Sequence, residues 1–332
     1  MAAKFQQHDF SLPPEVAGWR LDQALSAALP QYSRARLQQW IAAGVVVVGG
    51  QPALRASRRV AAGESVSLRA EFALDESVAA EELPLTIVYE DEAVLVLDKA
   101  PGMVVHPGAG NRTHTLQNAL LAHDPQLARV PRAGLVHRLD KDTSGLLVVA
   151  RTPEAHRRLV LALQARDVER RYLALVLGLP TGGATISEPI GRHRSVRTRM
   201  AVRNDGRTAI THYRIAERFR AHTLLAVQLE TGRTHQIRVH LAHIGHAVVG
   251  DPVYGGRRRL MANASPPLNA ALAAFRRQAL HAQKLAFAHP VTGHSMSFEA
   301  PIPADFEALL VALRSDAGHA GEWPEDYDGD EA

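Results

Sequence analysis

Cysteine does not occur anywhere in the 332 residues of the chain. Without thiols, neither a disulfide framework nor a thiolate metal ligand or nucleophile is available, which indicates a reducing compartment. The amino end has no apolar run of signal-peptide length, and no segment approaches the length needed to cross a bilayer. We therefore expect a cytoplasmic protein that has no membrane partner.

Several catalytic signatures are missing as well. One stretch contains four histidines, His235, His240, His243 and His246. It has no His-Glu-x-x-His pattern and no carboxylates at ligand spacing, so it does not predict a metal site. Ser144 lacks the Gly-x-Ser-x-Gly turn of a hydrolase nucleophile, and residues 108–111 lack the lysine and hydroxyl of a P-loop. These absences argue against a metalloenzyme, a serine hydrolase and an NTPase.

The charge that is present is unevenly distributed. The formal net charge is only +4, from 38 basic and 34 acidic residues. Acidic residues gather at the carboxyl end, so the rest of the chain is more basic than the total indicates. Much of the excess is arginine, whose planar guanidinium group suits phosphates. We expect nucleic acid as a partner.

Residues 19–70 predict a small module of helices and strands. Leu21 and Leu25 recur at helical spacing before Pro30, which ends the first helix. A second helix follows, with Ser33 as its N-cap and Gly44 at its end. Short apolar strands complete the module.

The same module carries a family resemblance. The segments Arg20-Leu21-Asp22 and Tyr32-Ser33-Arg34-Ala35-Arg36-Leu37 are similar to those of an S4-type RNA-binding module. The resemblance implies that Arg34 and Arg36 bind RNA. The alternative is a small subdomain with ordinary surface arginines.

The remaining chain divides into three parts. Residues 71–84 are acidic and alanine-rich without a clear apolar period, which predicts an interdomain linker. Residues 85–313 form a second domain, which begins with a strand, turn and strand and contains helices at 115–123 and from 152. Residues 314–332 form an acidic tail that we expect to be disordered.

A dense polar cluster precedes an apolar strand within the stretch 136–150. We assign its chemistry to Asp140, which would point to one side if Leu139 and Asp140 still belong to a strand. A catalytic carboxylate in a dry pocket stays ionised with the help of a nearby guanidinium, and we predict Arg238 as that partner. Asp142 is expected to satisfy backbone donors in a turn. Two alternatives stay open: Asp140 and Asp142 could be the carboxylate pair of a glycoside hydrolase, and Asp140 and Arg238 could belong to unrelated ion pairs.

Residues 191–200 alternate basic and neutral side chains. We predict a mobile basic loop in which Arg194 and Arg197 contact RNA phosphates. A solvated loop without a partner is the alternative.

Three further motifs resemble those of the RluA-type pseudouridine synthases, which isomerise uridine in RNA. They are His137-Arg138-Leu139-Asp140-Lys141-Asp142-Thr143-Ser144-Gly145-Leu146, Gly232-Arg233-Thr234-His235-Gln236-Ile237-Arg238-Val239-His240 and Arg277-Gln278-Ala279-Leu280-His281-Ala282. The resemblance implies an α/β fold of the α+β type. A catalytic domain with a mixed, largely antiparallel sheet and a central RNA cleft would follow the small S4-like α/β module.

The resemblance also implies roles for individual residues. Asp140 would be the catalytic aspartate that acts on the ribose of a flipped uridine, with Arg238 as its basic partner. Tyr172 would stack on the base, and Arg138 would fill the space that the flipped nucleotide leaves. Four more residues would bind the substrate: His137, Arg233, His235 and Gln236.

The partner implied in this way is 23S rRNA, or a precursor of the large ribosomal subunit, at the stem-loop that bridges to the small subunit. The resemblance implies no cofactor and no metal, and we expect a monomer. Two further alternatives remain: a non-catalytic S4-type RNA-binding protein, and a synthase that acts on a different rRNA or tRNA site.

Overall fold

The structure is a computed structural model that describes residues 4–29, 32, 34–72, 78–108, 110–196, 198–255 and 264–317. Within these ranges, no helix combines the length and the apolar character that crossing a membrane requires.

The amino-terminal module consists of a four-stranded antiparallel sheet and two helices. Its elements are β1 (Lys4–Ser11), α1 (Leu21–Ala28), α2 (Arg34–Ala42), β2 (Val46–Val48), β3 (Gln51–Pro52) and β4 (Ser65–Phe72). The sheet order is β1-β4-β2-β3. Both predicted helices are confirmed, and the predicted N-cap Ser33 lies outside the described residues. Strand β1 lies before residue 19, so the sheet extends beyond the predicted start of the module.

A buried carboxylate joins the two helices of this module. Asp22 accepts hydrogen bonds from Arg20, Arg34 and Gln38, at 3.0, 2.8 and 2.6 Å for the shortest contact of each. Burial would raise the pKa of Asp22, but these hydrogen bonds and the positive charge outweigh it and lower the pKa to about 2. The Arg20-Leu21-Asp22 segment therefore stabilises the module from within.

The second domain is built on a larger sheet. Its elements are β5 (Thr86–Glu90), β6 (Val94–Lys99), α3 (Leu116–His123), β7 (Ser144–Ala150), α4 (Pro153–Ala165), β8 (Glu169–Leu177), β9 (Ala184–Ser187), β10 (Ile190–Arg192), β11 (Met200–Val202), β12 (Ile210–Arg218), β13 (His222–Leu229), α5 (Gln236–His243), α6 (Pro266–Ala274), β14 (Leu280–Ala288), β15 (Ser295–Glu299) and α7 (Ala304–Ala317). Short 3₁₀ helices cover Pro125–Arg129 and Pro131–Gly134 in this domain, and Pro14–Val16 in the amino-terminal module.

Nine of the described strands form this sheet, in the order β5-β6-β7-β14-β8-β13-β12-β9, with β15 also paired to β14. Among its described strands, only β7 and β14 are parallel neighbours. The predicted mixed, largely antiparallel sheet is confirmed. Every residue of β7 is buried, as the continuous apolar run Leu146–Ala150 predicts for a strand covered on both faces.

Local sequence signals set the helix boundaries in this domain. The side chain of Thr115 caps α3 and that of Thr152 caps α4, and Pro153 occupies the first turn of α4. Both helices are confirmed near the predicted positions.

Residues 191–200, predicted to be a mobile basic loop, belong to a strand hairpin in the structure. Residues Ile190–Arg192 and Met200–Val202 pair as the antiparallel strands β10 and β11, so this segment is a hairpin. The backbone of its tip is held in part by His193, whose Nδ1 accepts hydrogen bonds from the amides of Ser195 and Val196 at 3.2 Å. Hydrogen bonds across the strands and at the tip explain why the described part of the segment has regular structure.

The two predicted boundary segments continue into structured regions. Strand β4 runs to Phe72, inside the predicted linker, and Val78 and Leu85 pack against the core of the second domain. Ala79 and Glu81 hydrogen-bond the buried Asn118 of α3. At the other end, α7 continues to Ala317, inside the predicted acidic tail. Residues 318–332, which are the rest of that predicted disordered tail, lie outside the described residues.

Candidate active site

The central cleft lies between the turn before β7, strand β8 and the amino end of α5, and has a volume of about 910 Å³. Eight of the predicted site residues line it: His137, Arg138, Asp140, Tyr172, Arg233, His235, Gln236 and Arg238. Segments far apart in sequence therefore converge on one cleft.

The turn that presents Asp140 is stabilised by its own backbone and by the neighbouring strand. The amide of Thr143 donates to the carbonyl of Asp140 at 3.1 Å, and β7 begins at the next residue. Gly145 pairs with Ala282 of β14 at a φ of +111°, and a Cβ at this glycine would lie 2.2 Å from the Ala282 carbonyl oxygen. Only glycine allows this approach of the two parallel strands.

Two buried cations hold the carbonyl groups that follow Asp140. Lys99 Nζ donates to the carbonyl of Lys141 at 2.9 Å, and Arg277 Nη1 donates to that of Asp142 at 3.2 Å. Burial lowers the pKa of Lys99 to about 8. Asp142 thus contributes a carbonyl to the turn, whereas the sequence predicts that its carboxylate binds backbone donors.

The predicted contact between Asp140 and Arg238 is confirmed. Arg238 Nη1 donates to Asp140 Oδ2 at 2.8 Å. Arg238 Nε and Nη2 donate to the two oxygens of Asp251 at 2.7 and 2.8 Å, and the Asp251 side chain is fully buried. Burial acts to lower the pKa of Arg238, but the two carboxylates outweigh it and raise the pKa.

The second oxygen of Asp140 faces a histidine. Asp140 Oδ1 lies 3.9 Å from His235 Nε2, which is too long for a hydrogen bond. His235 Nδ1 lies 2.8 Å from the hydroxyl of Tyr254, and that hydroxyl accepts the amide hydrogen of Met200 at 2.8 Å. Burial lowers the pKa of His235. Tyr254 therefore connects the β10–β11 hairpin with the cleft.

Tyr172 and His137 lie deeper in the cleft. Burial raises the pKa of Tyr172, and the charge of Asp140 acts in the same direction. His137 Nε2 accepts the amide hydrogen of Val148 at 3.2 Å, so this nitrogen carries no proton. Burial lowers the pKa of His137, in agreement with a neutral ring. Arg138, by contrast, is exposed at the rim.

Gln236 is fully engaged within the protein. Its Oε1 accepts hydrogen bonds from Thr231 and from the amide of Arg233, and its Nε2 donates to Ile210 and Thr211. With its amide satisfied in this way, Gln236 fixes the turn that carries Arg233 and His235. Arg233 also donates to the carbonyl of Thr208 at 3.0 Å.

The other predicted RNA-binding residues lie outside the cleft. Arg34 and Arg36 lie on α2, where Arg36 stacks over Trp40 at 5.7 Å. Arg194 is exposed near the tip of the hairpin, and Arg197 lies outside the described residues.

Asp251, Tyr254 and Lys99 contact the site residues, although the sequence predicts no role for them. A visible signal for Asp251 was its place in Gly250-Asp251-Pro252, where a charged residue stands among turn formers. Within the described ranges, no group of three or more histidine and carboxylate side chains is arranged to hold a metal ion.

Comparison with known proteins agrees with this architecture. Residues 93–243 match the family model for RNA pseudouridylate synthase, and residues 19–66 match that for the S4 domain. The solved structure of human RNA Pseudouridylate Synthase Domain Containing 1 is 26% identical, with a TM-score of 0.52 over 71% of this chain and 97% of that chain. Human RNA Pseudouridylate Synthase Domain Containing 4, at 24% identity and a TM-score of 0.54, covers 69% of this chain and 93% of its own, and shows the same fold.

Curated bacterial proteins are similar over nearly the whole chain. Ribosomal large subunit pseudouridine synthase D of Xanthomonas campestris is 52% identical over 94% of each chain. The protein of that name from Pseudomonas aeruginosa is 53% identical over 93% of this chain and 97% of its own. That of Escherichia coli K12 is 51% identical over 90% and 92%. The chain therefore belongs to the RluA-type family of RNA pseudouridine synthases, and it is similar over nearly its whole length to bacterial proteins named ribosomal large subunit pseudouridine synthase D.

Proposed function

We propose that this enzyme isomerises uridine to pseudouridine in 23S rRNA, at the stem-loop of the large subunit that bridges to the small subunit. Asp140 is the reacting carboxylate. The names of the bacterial relatives support a large-subunit rRNA substrate. The S4 domain and the basic hairpin support binding to a structured RNA.

The observation that carries the proposal is the orientation of Asp140. Its Oδ2 is held by Arg238, which Asp251 holds in turn, while Oδ1 accepts no hydrogen bond from His235. One carboxylate oxygen is thus fixed and the other is available to a ligand in the cleft. Such preorganisation is what a reacting group requires.

The chemistry needs a carboxylate next to a ribose. The bond between C1′ and N1 breaks, its electron pair leaves with uracil, and the base rotates. A bond then forms between C5 and C1′, the proton on C5 is lost, and N1 gains a proton, so the reaction is an isomerisation that needs no external reagent. Asp140 acts on the ribose, and Tyr172 stacks on the base.

Access to these groups requires base flipping. Asp140 and Tyr172 lie at the floor of the cleft, and a base stacked in an RNA strand cannot reach them. Arg138 is exposed at the rim next to Asp140, where it occupies the space that the extruded nucleotide leaves. The cost of extrusion is lowest in a loop, in agreement with a stem-loop substrate.

Release of tritium from C5-labelled 23S rRNA fragments tests the proposal. The wild-type enzyme is expected to release tritium, and Asp140→Asn to lower the single-turnover rate by a factor of roughly 10³ or more. Asp142→Asn is the matched control, because it removes a carboxylate two residues away and should retain most of the rate. A glycoside hydrolase with paired carboxylates would need both.

A second experiment tests the RNA site. Pseudouridines are mapped in 23S rRNA from cells that lack this protein. Loss of modification confined to the bridging stem-loop is expected. Full modification there, with loss elsewhere in rRNA or tRNA, would contradict the assigned site while leaving the reaction intact.

A further inference from the structure

The floor of the cleft contains a buried guanidinium that has no carboxylate partner among the residues the structure describes. Arg170, on β8, is 6% exposed and lines the cleft beside Tyr172. Within the described part of the chain, its Nη2 makes only long contacts, at 3.4 and 3.3 Å, with the carbonyls of Leu229 and Glu230, and its Nε has no hydrogen-bond partner. Within the described residues, the carboxylate of Glu230 instead binds Arg166 and His212.

This arrangement is unfavourable for the free protein. Arginine keeps its charge in proteins, and a buried charge is stable only when an opposite charge or good acceptors surround it. The other arginine at the floor, Arg238, is paired with two carboxylates. Arg170 therefore has hydrogen-bonding capacity that the described protein groups do not use.

Strand geometry places the unused donors of Arg170 next to Tyr172, the residue proposed to stack on the base. Arg170 and Tyr172 are two residues apart on one strand, so both side chains leave the same face with a spacing of roughly 7 Å. Gly232 lies against the guanidinium, and a Cβ at that position would come within 2.9 Å of Arg170 Nη1. A base stacked on Tyr172 therefore brings its edge within reach of Arg170.

The depth of Arg170 distinguishes two kinds of RNA acceptor. Phosphates remain at the surface of a bound strand, where Arg132 and Arg138 are exposed. Only the flipped base enters far enough to meet a side chain that is 6% exposed. The carbonyl oxygens O2 and O4 of uracil are the acceptors that such a base offers.

We infer that Arg170 donates hydrogen bonds to a carbonyl oxygen of the flipped uracil and stabilises the negative charge that this base gains when its bond to C1′ breaks. The inference rests on the proposed function. The electron pair of that bond spreads over N1, O2 and O4, and no proton leaves Arg170. A fixed cation in a site that excludes water is effective against charge that develops during the reaction.

The test uses Arg170→Met and Arg170→Lys in the full-length enzyme, with Arg171→Met as the matched control. Arg171 is the next residue of β8, points to the opposite side and pairs with Glu169. Single-turnover tritium release at saturating RNA and the RNA dissociation constant are measured for each variant, together with the melting temperature.

Arg170→Met is expected to lower the single-turnover rate about 10²-fold while the dissociation constant changes less than about 3-fold. Arg170→Lys should recover part of the rate, because it restores the charge without the planar fork. Arg171→Met should resemble the wild type. Because Arg170→Met removes a poorly satisfied buried charge, its melting temperature should not fall below that of Arg171→Met.

Three outcomes would overturn the inference. An unchanged rate would show that Arg170 does not act on the base. A weaker affinity with a reduced salt dependence, at an unchanged saturated rate, would assign Arg170 to a phosphate. A large fall in melting temperature would make it a structural residue. If the wild type released no tritium, the proposed function itself would be wrong. A loss of rate confined to the Arg170 variants would leave the proposed function intact.

Discussion

Asp251 binds Arg238 through both Nε and Nη2, so it is Nη1 that reaches Asp140. Asp251 is itself fixed by the amides of Val253 and Tyr254, at 2.8 and 3.0 Å. Burial would raise the pKa of Asp251, but the hydrogen bond and charge of Arg238 outweigh it and lower the pKa. The orientation of Asp140 therefore depends on a carboxylate that lies on the far side of Arg238.

Asp251→Asn is expected to lower the single-turnover rate about 10²-fold, because a displacement of Arg238 moves Asp140 from its reactive position. RNA affinity should change little, since Asp251 is buried away from the ligand. Stability should fall by about 3 kcal/mol, as for other buried ion pairs that lose one member. Tritium release and urea denaturation measure the two effects.

Glu217→Gln is the control for this variant. Glu217 binds Arg314 through the same Nε and Nη2 groups, at 3.0 and 2.9 Å for the shorter contacts, but does not line the cleft. It should lose stability without losing rate. Equal losses of rate in both variants would contradict a specific role for Asp251.

Tyr254→Phe tests the link between the hairpin and the cleft. The hydroxyl of Tyr254 binds the amide of Met200 on β11 and His235 in the cleft, and both contacts disappear in this variant. The loss of about 1 kcal/mol per hydrogen bond should loosen the hairpin and weaken RNA binding by about 5-fold. Filter binding measures the effect.

Tyr89→Phe removes one tyrosine hydrogen bond elsewhere, to Asp91 at 2.8 Å. It should leave RNA affinity at the wild-type value. If Tyr254→Phe did the same, the hairpin would not depend on this hydroxyl for RNA binding.

The stability of the enzyme should fall between pH 6.5 and 4, in part because of His281. This residue is fully buried, binds Ser144 at 3.0 Å, and burial lowers its pKa from 6.5 to about 4. Between these values the unfolded chain binds the proton and the folded chain does not, so lowering the pH favours unfolding. The stability that this difference in pKa contributes is fully present above pH 6.5. Roughly 3 kcal/mol of the free energy of unfolding is lost as the pH falls to 4.

Urea denaturation of the wild type and of His281→Asn, at a series of pH values, measures this contribution. The variant should be less stable at pH 7 and should lose less stability on acidification. Other buried histidines contribute to the slope in both proteins, so the difference between the two curves is the relevant quantity. Parallel curves would contradict the role of His281.

Deletion of the amino-terminal module should weaken RNA binding more than it slows the chemical step. The deletion should end at residue 77, because Ala79 and Glu81 hydrogen-bond α3 and so belong to the second domain. Deletion of residues 1–77 should raise the dissociation constant by roughly 10-fold or more and leave the saturated single-turnover rate nearly unchanged. An equal loss in that rate would contradict this division of labour.

Deletion of residues 1–83 provides the comparison. It removes the carbonyl of Ala79, which accepts a hydrogen bond from the fully buried Asn118 at 2.7 Å. An unsatisfied buried amide costs about 1–3 kcal/mol, so this shorter protein should melt at a lower temperature than the 1–77 deletion.

Local patterns in the sequence were sufficient for many of the elements. The apolar run after Gly145 predicts β7, and Thr115 and Thr152 mark the starts of α3 and α4. Such signals act between residues a few positions apart, which is why they can be recognised without the fold. The hairpin at Ile190–Val202 was missed because alternating arginines carry no clear strand signal.

The candidate site depends on contacts of long range. The sequence and the family motifs predict Asp140 as the reacting carboxylate and Arg238 as its partner. The two residues are 98 positions apart, so their contact requires the folded sheet. The parallel pairing of His281 with Ser144 is likewise set by β14 lying between β7 and β8. Strand order and register arise from the packing of the whole domain, and no local pattern encodes them.

By itself, the sequence determined the kinds of residue available, the helices and strands with strong local signals, and, through the family resemblance, the two segments that carry Asp140 and Arg238. Only the tertiary structure decided that Asp251 supports Arg238, that Gln236 is satisfied within the protein, and that Arg170 is buried without a carboxylate among the described residues. The physical reason is that burial and hydrogen-bond partners are properties of the assembled chain, since each depends on groups that distant segments bring into contact.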